Sequence, residues 1–176
     1  MMLKGKKVNL RPIKMDDAPR FVKWFNDDEV NRYLNHRSMD LKTERKWIKA
    51  RLSGKRKSSI QFCITTLEGR HIGATGLENI QRLHKRATFG IIIGDKEYWN
   101  KGYGSEAAKL IIDYGFKKLK LHKIDLGVYS YNPRAIKVYK RLGFKVEGRS
   151  REHTFWNKKY HDAFLMGILN KEWKNN

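Results

Sequence analysis

The chain contains 176 residues, enough for a hydrophobic core, and we expect a single domain over residues 1–176. Hydrophobic residues make up 40% and aromatic residues 12%, which excludes an intrinsically disordered chain. The formal net charge of +21 indicates an anionic partner such as nucleic acid, the ribosome or an anionic cofactor, although a solvated lysine-rich surface would also account for it.

Cys63 is the only cysteine, which excludes an intrachain disulfide and indicates a reducing, cytoplasmic environment. No apolar run approaches the ~20 residues of a membrane helix, and residues 1–11 lack the apolar core of a signal peptide. The six histidines do not follow the spacing of a zinc motif, so we expect no metal.

The chain begins with a strand and two helices. Alternating apolar residues predict a first strand that ends near Pro12. Asp16 and Asp17 are expected to cap a helix that carries the apolar run 21–25. A short second helix is predicted around Val30.

A third helix is predicted from Thr43 to Leu52, with Thr43 as its N-cap, and the basic run 55–57 is expected to be a solvated loop. From Ser59 onward the apolar period changes to two, which predicts an antiparallel meander that leads into strand–helix alternation. The predicted strands cover 60–64, 71–80, 86–94, 123–129, 144–153 and 160–169, and the predicted helices cover 105–119 and 132–143.

The helix between the 86–94 and 123–129 strands fixes their relative direction. A strand–helix–strand unit in one sheet requires parallel strands, so these two strands should pair in parallel within an otherwise mostly antiparallel sheet. A mixed sheet is therefore predicted.

The glycine-rich stretch Trp99–Ser105 lies between the 86–94 strand and the next helix. Strand, glycine loop and helix start together offer backbone N–H groups and a partial positive charge to a phosphate, and Lys101 adds a full charge. The alternative is a simple tight turn. The nucleotide P-loop pattern is absent, and the dinucleotide fingerprint lacks its third glycine because residue 107 is alanine.

The run from Asn132 to Phe144 resembles the second conserved block of the GNAT acetyltransferases, Asn-x-x-Ala-x-x-x-Tyr-x-x-x-Gly-Phe, at every position. The earlier stretch resembles their first block, Arg/Gln-x-x-Gly-x-Gly/Ala, through Gly102 and Gly104, with Trp99 in the place of Arg or Gln. Further segments resemble the branch that contains ribosomal-protein N-terminal acetyltransferases and spermidine N-acetyltransferases.

This resemblance implies an α+β fold: a mixed, largely antiparallel sheet of six to seven strands flanked by helices, with a central parallel pair that splays apart. It implies that acetyl-CoA is the co-substrate and that its pantetheine arm lies in the splay, while its pyrophosphate lies on the glycine loop. The residues that this assigns to the cofactor are Ile91, Ile92, Ile93, Trp99, Asn100, Lys101, Gly102, Tyr103, Gly104, Ser105 and Asn132.

Acetyl transfer to an amine requires a neutral nucleophile and a proton for the departing thiolate. The resemblance implies Tyr139 as the proton donor. Many relatives carry Glu at the position of Thr88, so that base is absent here. Glu78 on the preceding strand is the next candidate, with water relayed to Glu78 or His84 as the alternative, and Glu78 should then be partly buried.

The expected acceptor is a primary amine, first a protein or peptide N-terminal α-amine and alternatively a spermidine-type polyamine or another small amine. The segment 24–50, with its aromatic residues and the acids 27–29, is expected to form the acceptor wall. Two non-catalytic alternatives remain, a nucleic-acid-binding protein and a CoA-binding relative without activity, and a homodimer is left open.

Overall fold

The computed structural model describes residues 1–34, 38–53 and 58–173, and those ranges contain eight strands and five α-helices. The strands are β1 (Leu3–Lys4), β2 (Val8–Pro12), β3 (Ile60–Thr66), β4 (His71–Gln81), β5 (Arg86–Ile93), β6 (Lys123–Tyr129), β7 (Lys145–Trp156) and β8 (Lys159–Leu169). The helices are α1 (Ala18–Phe25), α2 (Asp28–Asn31), α3 (Leu41–Leu52), α4 (Tyr103–Lys117) and α5 (Pro133–Arg141). The basic run 55–57 lies outside the described residues.

The eight strands form one sheet in the order β1-β2-β3-β4-β5-β6-β8-β7. Neighbours are antiparallel except for β5 and β6, which are parallel as the sequence predicts. The mixed, mostly antiparallel fold is confirmed, and the described residues hold one strand more than the six to seven expected. The addition is β1, a two-residue strand that pairs with β2 and is too short to show a period in the sequence.

The sheet carries helices on both faces because neighbouring strand residues point to opposite sides. On one face, α4 buries Ala107, Ala108, Ile111 and Ile112 against the sheet core. On the other face, a second apolar cluster joins α1, α2 and α3 to Cys63 of β3. Among the described residues, none of the helices has both the length and the apolar character needed to cross a bilayer.

Two predicted helix caps differ in the structure. Helix α3 begins at Leu41, and its cap is Asp40, whose Oδ1 accepts a hydrogen bond from the Thr43 backbone N–H at 2.7 Å. Thr43 is therefore the donor to the cap, and the prediction that Thr43 is the cap is wrong. At α1, Asp17 precedes the first helical residue, but its carboxylate makes no cap because Arg11 holds it at 2.6 and 2.8 Å.

That ion pair belongs to a buried polar cluster beneath α1. His71 Nδ1 lies 3.2 Å from Asp17 Oδ1, and the Cys63 thiol donates to Asp17 Oδ2 at 3.2 Å. Burial alone would raise the pKa of Asp17, but hydrogen bonds from Arg11 and His71 outweigh it and bring the pKa well below its usual range. Burial also raises the pKa of the Cys63 thiol, which keeps it neutral, whereas metals and electrophiles need the thiolate.

Candidate active site

The parallel strands β5 and β6 pair over only three residues and then separate. Their ladder ends at Thr88 opposite Asp125. Beyond that point β5 continues to pair with β4 as far as Ile93, and β6 continues to pair with β8 as far as Tyr129. Each strand therefore turns one backbone edge toward an open gap, which we call the fork. This confirms the splayed pair expected from the sequence.

A cavity of about 610 Å³ lies along the β5 edge of the fork and extends to the start of α4. This volume is within the usual range for a small-molecule site. Most of the predicted cofactor residues line it, namely Ile91, Ile92, Ile93, Trp99, Asn100, Gly102, Gly104, Ser105 and Asn132, and so does Tyr139. Lys101 and Tyr103 belong to the same loop and helix start but are not among its lining residues.

The loop before α4 presents backbone N–H groups to this cavity. Gly102 precedes the helix with φ +86°, a left-handed conformation that glycine adopts without steric cost. The first main-chain bond of the helix runs from Glu106 N–H to Gly102 O at 3.1 Å, so the N–H groups of residues 103–105 have no helical acceptor. Within the described residues no side chain caps these N–H groups either, so the N-terminus of α4 can bind an anion.

The N-terminal hairpin brings a further cation to that loop, which the sequence alone did not reveal. Glu106, in the first turn of α4, accepts hydrogen bonds from the backbone N–H groups of Lys6 and Lys7. Lys7 Nζ then donates to the Lys101 carbonyl at 3.3 Å. The contact spans about ninety residues of sequence, so no local pattern signals it.

Trp99 has two contacts that explain how it can replace the usual Arg or Gln. Its indole Nε1 donates to Ile93 O at 2.7 Å and so holds the end of β5. The guanidinium of Arg134 lies 4.3 Å from the centroid of its ring, which joins the loop to α5. Lys137 and Arg141 also line the cavity from α5. Lys137 follows Arg134 by three residues and Arg141 follows Lys137 by four, a spacing that puts the three cations on one helix face and that was readable in the sequence.

Tyr139 projects from α5 against the root of the fork. Its ring lies 6.0 Å from those of both Phe89 and Phe144, between centroids. Burial raises the pKa of Tyr139 to about 12, so the phenol keeps its proton at neutral pH. Asn132 acts as the cap of the same helix, accepting from Ala135 N–H at 3.2 Å, and it also lines the cavity.

Glu78 lies on β4 outside the set of described residues that line the cavity. Gln61 Nε2 donates to its Oε1 at 2.6 Å, and Arg51 Nη2 lies 3.4 Å from the same oxygen. Its side chain is 46% exposed, which meets the expectation of partial burial. The assignment of Glu78 as a base stays a prediction.

Only part of the segment expected to form the acceptor wall reaches the cavity. Val30, Tyr33 and Leu34 line it, whereas Trp24 is buried against His71. The acids were expected to attract the amine, but Lys96 holds both Asp27 and Glu29, at 2.8 and 3.2 Å. Asp27 also caps α2. These carboxylates are satisfied within the chain.

An aromatic cluster stands at the far end of β6, beside the residues of α2 that line the cavity. The ring of Tyr131 stacks with Tyr129 at 5.3 Å, with Trp156 at 4.9 Å and with Tyr33 at 6.0 Å. Its hydroxyl donates to the Arg32 carbonyl at 2.9 Å. These contacts tie the end of α2 to β6 and to the β7–β8 hairpin, and burial raises the pKa of Tyr131 to about 12.

Comparisons with known proteins agree with this arrangement. The profile of the Acetyltransferase (GNAT) domain family matches residues 7–145. The spermidine N(1)-acetyltransferase of Escherichia coli (strain K12) is 40% identical over 110 residues, which are 62% of this chain and 59% of that protein. The putative ribosomal N-acetyltransferase YdaF of Bacillus subtilis (strain 168) is 29% identical over 107 residues, which are 61% of this chain and 58% of that protein.

The structure of spermidine N-acetyltransferase from Vibrio cholerae in complex with CoA and spermine superposes with a TM-score of 0.88 at 27% identity, covering 96% of this chain and 98% of that one. The sequence match with the first curated relatives spans about three-fifths of their length. Because the family profile covers most of the chain, including the fork, the glycine loop and the helix with Tyr139, the chain belongs to the GNAT acetyltransferase family.

Proposed function

We propose that the protein is an acetyl-CoA-dependent N-acetyltransferase that moves an acetyl group to the primary amine of a linear polyamine by direct attack. The observation that carries the proposal is that the β5 edge of the fork, the uncapped start of α4 and the phenol of Tyr139 all line one cavity. An extended thioester carrier with a diphosphate and a reactive end needs these three features together.

The cofactor fits the backbone of the site. The edges of β5 and β6 in the fork can pair with the amides of a pantetheine arm, as a third strand would. The N–H groups of residues 103–105 can receive the pyrophosphate, with positive charge from Lys7 and Lys101 close by. The family profile and the Vibrio cholerae neighbour, which was solved with CoA, support this placement.

Tyr139 is the candidate donor of the proton that the departing thiolate needs. Its pKa of about 12 lies above the ~8.5 of a thiol, so transfer to the thiolate alone is uphill. The tetrahedral adduct formed by the attacking amine carries an ammonium proton that can restore the phenol as the C–S bond breaks. Coupling the two transfers leaves no phenolate behind.

The polyamine is favoured over the N-terminal α-amine first expected from the sequence. The Escherichia coli relative and the Vibrio cholerae neighbour both act on spermidine by name. A protein or peptide α-amine stays the second candidate, supported by the putative ribosomal relative. The net charge of +21 would repel a free polycation at long range, so a polyamine requires local negative charge at the acceptor side of the fork.

The test is release of CoA thiol from acetyl-CoA over a panel of spermidine, spermine, an alanine-terminated peptide, aminoglycosides and free amino acids. We expect spermidine or spermine to show a kcat/KM at least ~10-fold above the peptide, with the acetylated amine identified by mass spectrometry. Faster turnover of the peptide would move the assignment to the α-amine. Binding of acetyl-CoA without thiol release for any amine would contradict catalysis.

A further inference from the structure

We propose that Asp125, held by Thr88 at the root of the fork, is the general base that takes a proton from the incoming ammonium group. This inference rests on the proposed acetyl transfer and names the base of that reaction. Its starting observation is the hydrogen bond from Thr88 Oγ1 to Asp125 Oδ1 at 2.8 Å, at the last paired position of β5 and β6.

Asp125 and Tyr139 approach the same gap from opposite faces of the sheet. Phe89 packs against Tyr139 on the face covered by α4 and α5. Thr88 is its neighbour in the strand, so the Thr88 side chain and its partner Asp125 point to the other face. Thr88 and Asp125 lie at the root of the fork and are not among the residues that line the cavity. A thioester in the fork would have the phenol on one side and the carboxylate, at the root, on the other. The amine can then attack from the side that the leaving thiolate does not occupy.

The face that carries Asp125 is open along the fork. Gly90 and Gly127 lie two residues beyond Thr88 and Asp125 and share their face. A Cβ added at either glycine would meet no heavy atom within 4 Å. A slender, unbranched amine can therefore lie over this bare backbone and reach Asp125 while its terminal nitrogen faces the acetyl carbon.

The charges around Asp125 leave its second oxygen available. Among the described residues, the Asp125 carboxylate accepts one hydrogen bond, from Thr88 to Oδ1, and Oδ2 has no partner. The neighbouring carboxylates are each matched by a cation, Glu78 by Arg51 on the β4 side and Glu147 by Lys123 Nζ at 2.6 Å on the β7 side. On the same face of β5, Arg86 lies two residues before Thr88 and donates through Nε to Gln81 Oε1 at 2.9 Å. Tyr129 is the remaining titratable group on this face of β6.

The proton and electron balance is complete with acetyl-CoA as the acyl donor. The ammonium N–H breaks and its proton passes to Asp125 Oδ2, which leaves a neutral amine. The nitrogen lone pair forms a bond to the acetyl carbon, and the C–S bond breaks as the sulfur takes the Tyr139 proton. The second ammonium proton returns to Tyr139, and Asp125 releases its proton to solvent.

The test compares the pH dependence of kcat for the wild type with those of Asp125→Asn, Asp125→Glu and Thr88→Val. We expect Asp125→Asn to lower kcat at pH 7 by about 100-fold, the lower end of what a general base supplies, with acetyl-CoA affinity within about twofold of wild type. The loss should shrink toward pH ~10, where the acceptor amine loses its own proton. Asp125→Glu should restore part of the rate, and Thr88→Val should cost less than Asp125→Asn.

A second acceptor separates a missing base from a damaged site. With an arylamine that is already neutral at pH 7, Asp125→Asn should react within about threefold of wild type, because no proton has to be removed before attack. Asp16→Asn, which removes an exposed carboxylate just before α1, is the matched control. It should change neither the pH dependence of kcat with the polyamine nor the rate with the arylamine.

The outcomes distinguish failure of the base from failure of the reaction. If the wild type releases no thiol with any amine, the proposed function itself is wrong. If the wild type turns over and Asp125→Asn keeps its kcat within about threefold at every pH, Asp125 is not the base. If Glu78→Gln removes the acid limb of the profile while Asp125→Asn retains it, the role belongs to Glu78.

Discussion

Single side chains set the chemistry of the fork through contacts that join distant parts of the chain. Trp99 holds the end of β5 and carries Arg134 on its ring, so one residue connects the strand, the loop and α5. Thr88 fixes Asp125 across the only parallel pairing among the described strands. Neither contact requires a special sequence pattern, since each follows from which strands and helices become neighbours.

Tyr139→Phe tests the proton donor. We expect kcat with the preferred amine to fall by about 100-fold or more, because a general acid typically supplies this much. The acetyl-CoA dissociation constant, measured by calorimetry, should stay within about twofold, since the ring remains packed against Phe89. Tyr114→Phe, on α4 and outside the cavity lining, is the control and should keep kcat. An unchanged kcat for Tyr139→Phe would remove the phenol from the acid role.

Glu44 gives a pH-dependent term in stability. Its side chain is 2% exposed, Oε1 has no hydrogen-bond partner within the described residues, and burial raises its pKa to about 7. Because the folded-state pKa lies above the unfolded value of 4.5, the folded protein binds the extra proton. Stability is therefore full below pH ~4.5 and falls as pH rises through about 7, by as much as about 3 kcal/mol.

Glu44→Gln should remove that pH dependence. We expect the variant to unfold at higher denaturant than wild type at pH 8, because the ionised carboxylate is no longer buried, and to match wild type at pH 4. Urea titrations at the two pH values measure this difference. Equal destabilisation of the variant at both pH values would show that the carboxylate is needed as a partner and that the proposed desolvation penalty is not the main effect.

At the scale of elements, the N-terminal cap of a helix decides whether its first backbone N–H groups are free to bind a ligand. Helix α3 is capped by the Asp40 side chain, which accepts a hydrogen bond from Thr43 N–H, and α2 is capped by Asp27. Helix α4 instead starts after Gly102 in a left-handed conformation with no side-chain cap among the described residues. Because Gly104 and Ser105 of its first turn line the cavity, the free N–H groups of this turn stay available for a ligand.

Gly102→Ala tests this start. A Cβ at φ +86° costs about 1–2 kcal/mol and pushes the loop away from its conformation, so we expect the acetyl-CoA dissociation constant to rise about 5- to 30-fold. Gly69→Ala is the matched control, since Gly69 has φ +91° in the turn between β3 and β4, with no heavy atom within 4 Å of an added Cβ.

The control variant should lose similar stability, measured by thermal unfolding, but keep its affinity for acetyl-CoA. If both variants bind acetyl-CoA as wild type does, the backbone at Gly102 does not form the phosphate site. If both lose affinity equally, the effect is global stability and not the loop.

At the scale of the whole molecule, the sheet separates two kinds of surface. The face with α4 and α5 holds the cations that line the cavity, while the opposite face carries Asp125 and Glu78 beside the open glycines. Because Arg51 pairs with Glu78, Asp125 is the one of these two carboxylates without a cation partner among the described residues, and it supplies the local negative charge that a cationic acceptor needs against the net charge of +21. Proximity to the ribosome, expected from the charge, gains no support from these contacts.

Salt tests the role of that charge. Raising ionic strength from 0.1 to 1 M shortens the screening length from about 10 to about 3 Å, so the KM for acetyl-CoA should rise about five- to tenfold. Acetyl-pantetheine, which lacks the phosphates, is the control substrate, and its KM should change by less than about twofold. Equal salt dependence for both substrates would show that the cations along α5 and the glycine loop do not attract the cofactor.

The sequence by itself determined most of the elements, because they depend on local periods and turn residues. The alternation in β6, the Asn132 cap of α5 and the glycines before α4 are all short-range signals. The family resemblance implied many of the residues that line the cavity, but not the cations of α5, and it also implied Lys101 and Tyr103, which do not line it. The errors were also local: Thr43 and Asp40 both fit a cap position, and only the hydrogen bond to the Thr43 N–H distinguishes them.

The tertiary structure alone decided which charges meet. Lys96 neutralises Asp27 and Glu29, Arg51 and Gln61 hold Glu78, and Thr88 holds Asp125, and each pair is far apart in the chain. Sequence spacing reports which residues share a face of one element, but not which element becomes its neighbour. The position of a base at the fork depends on how two strands register and part, so it had to come from the folded sheet.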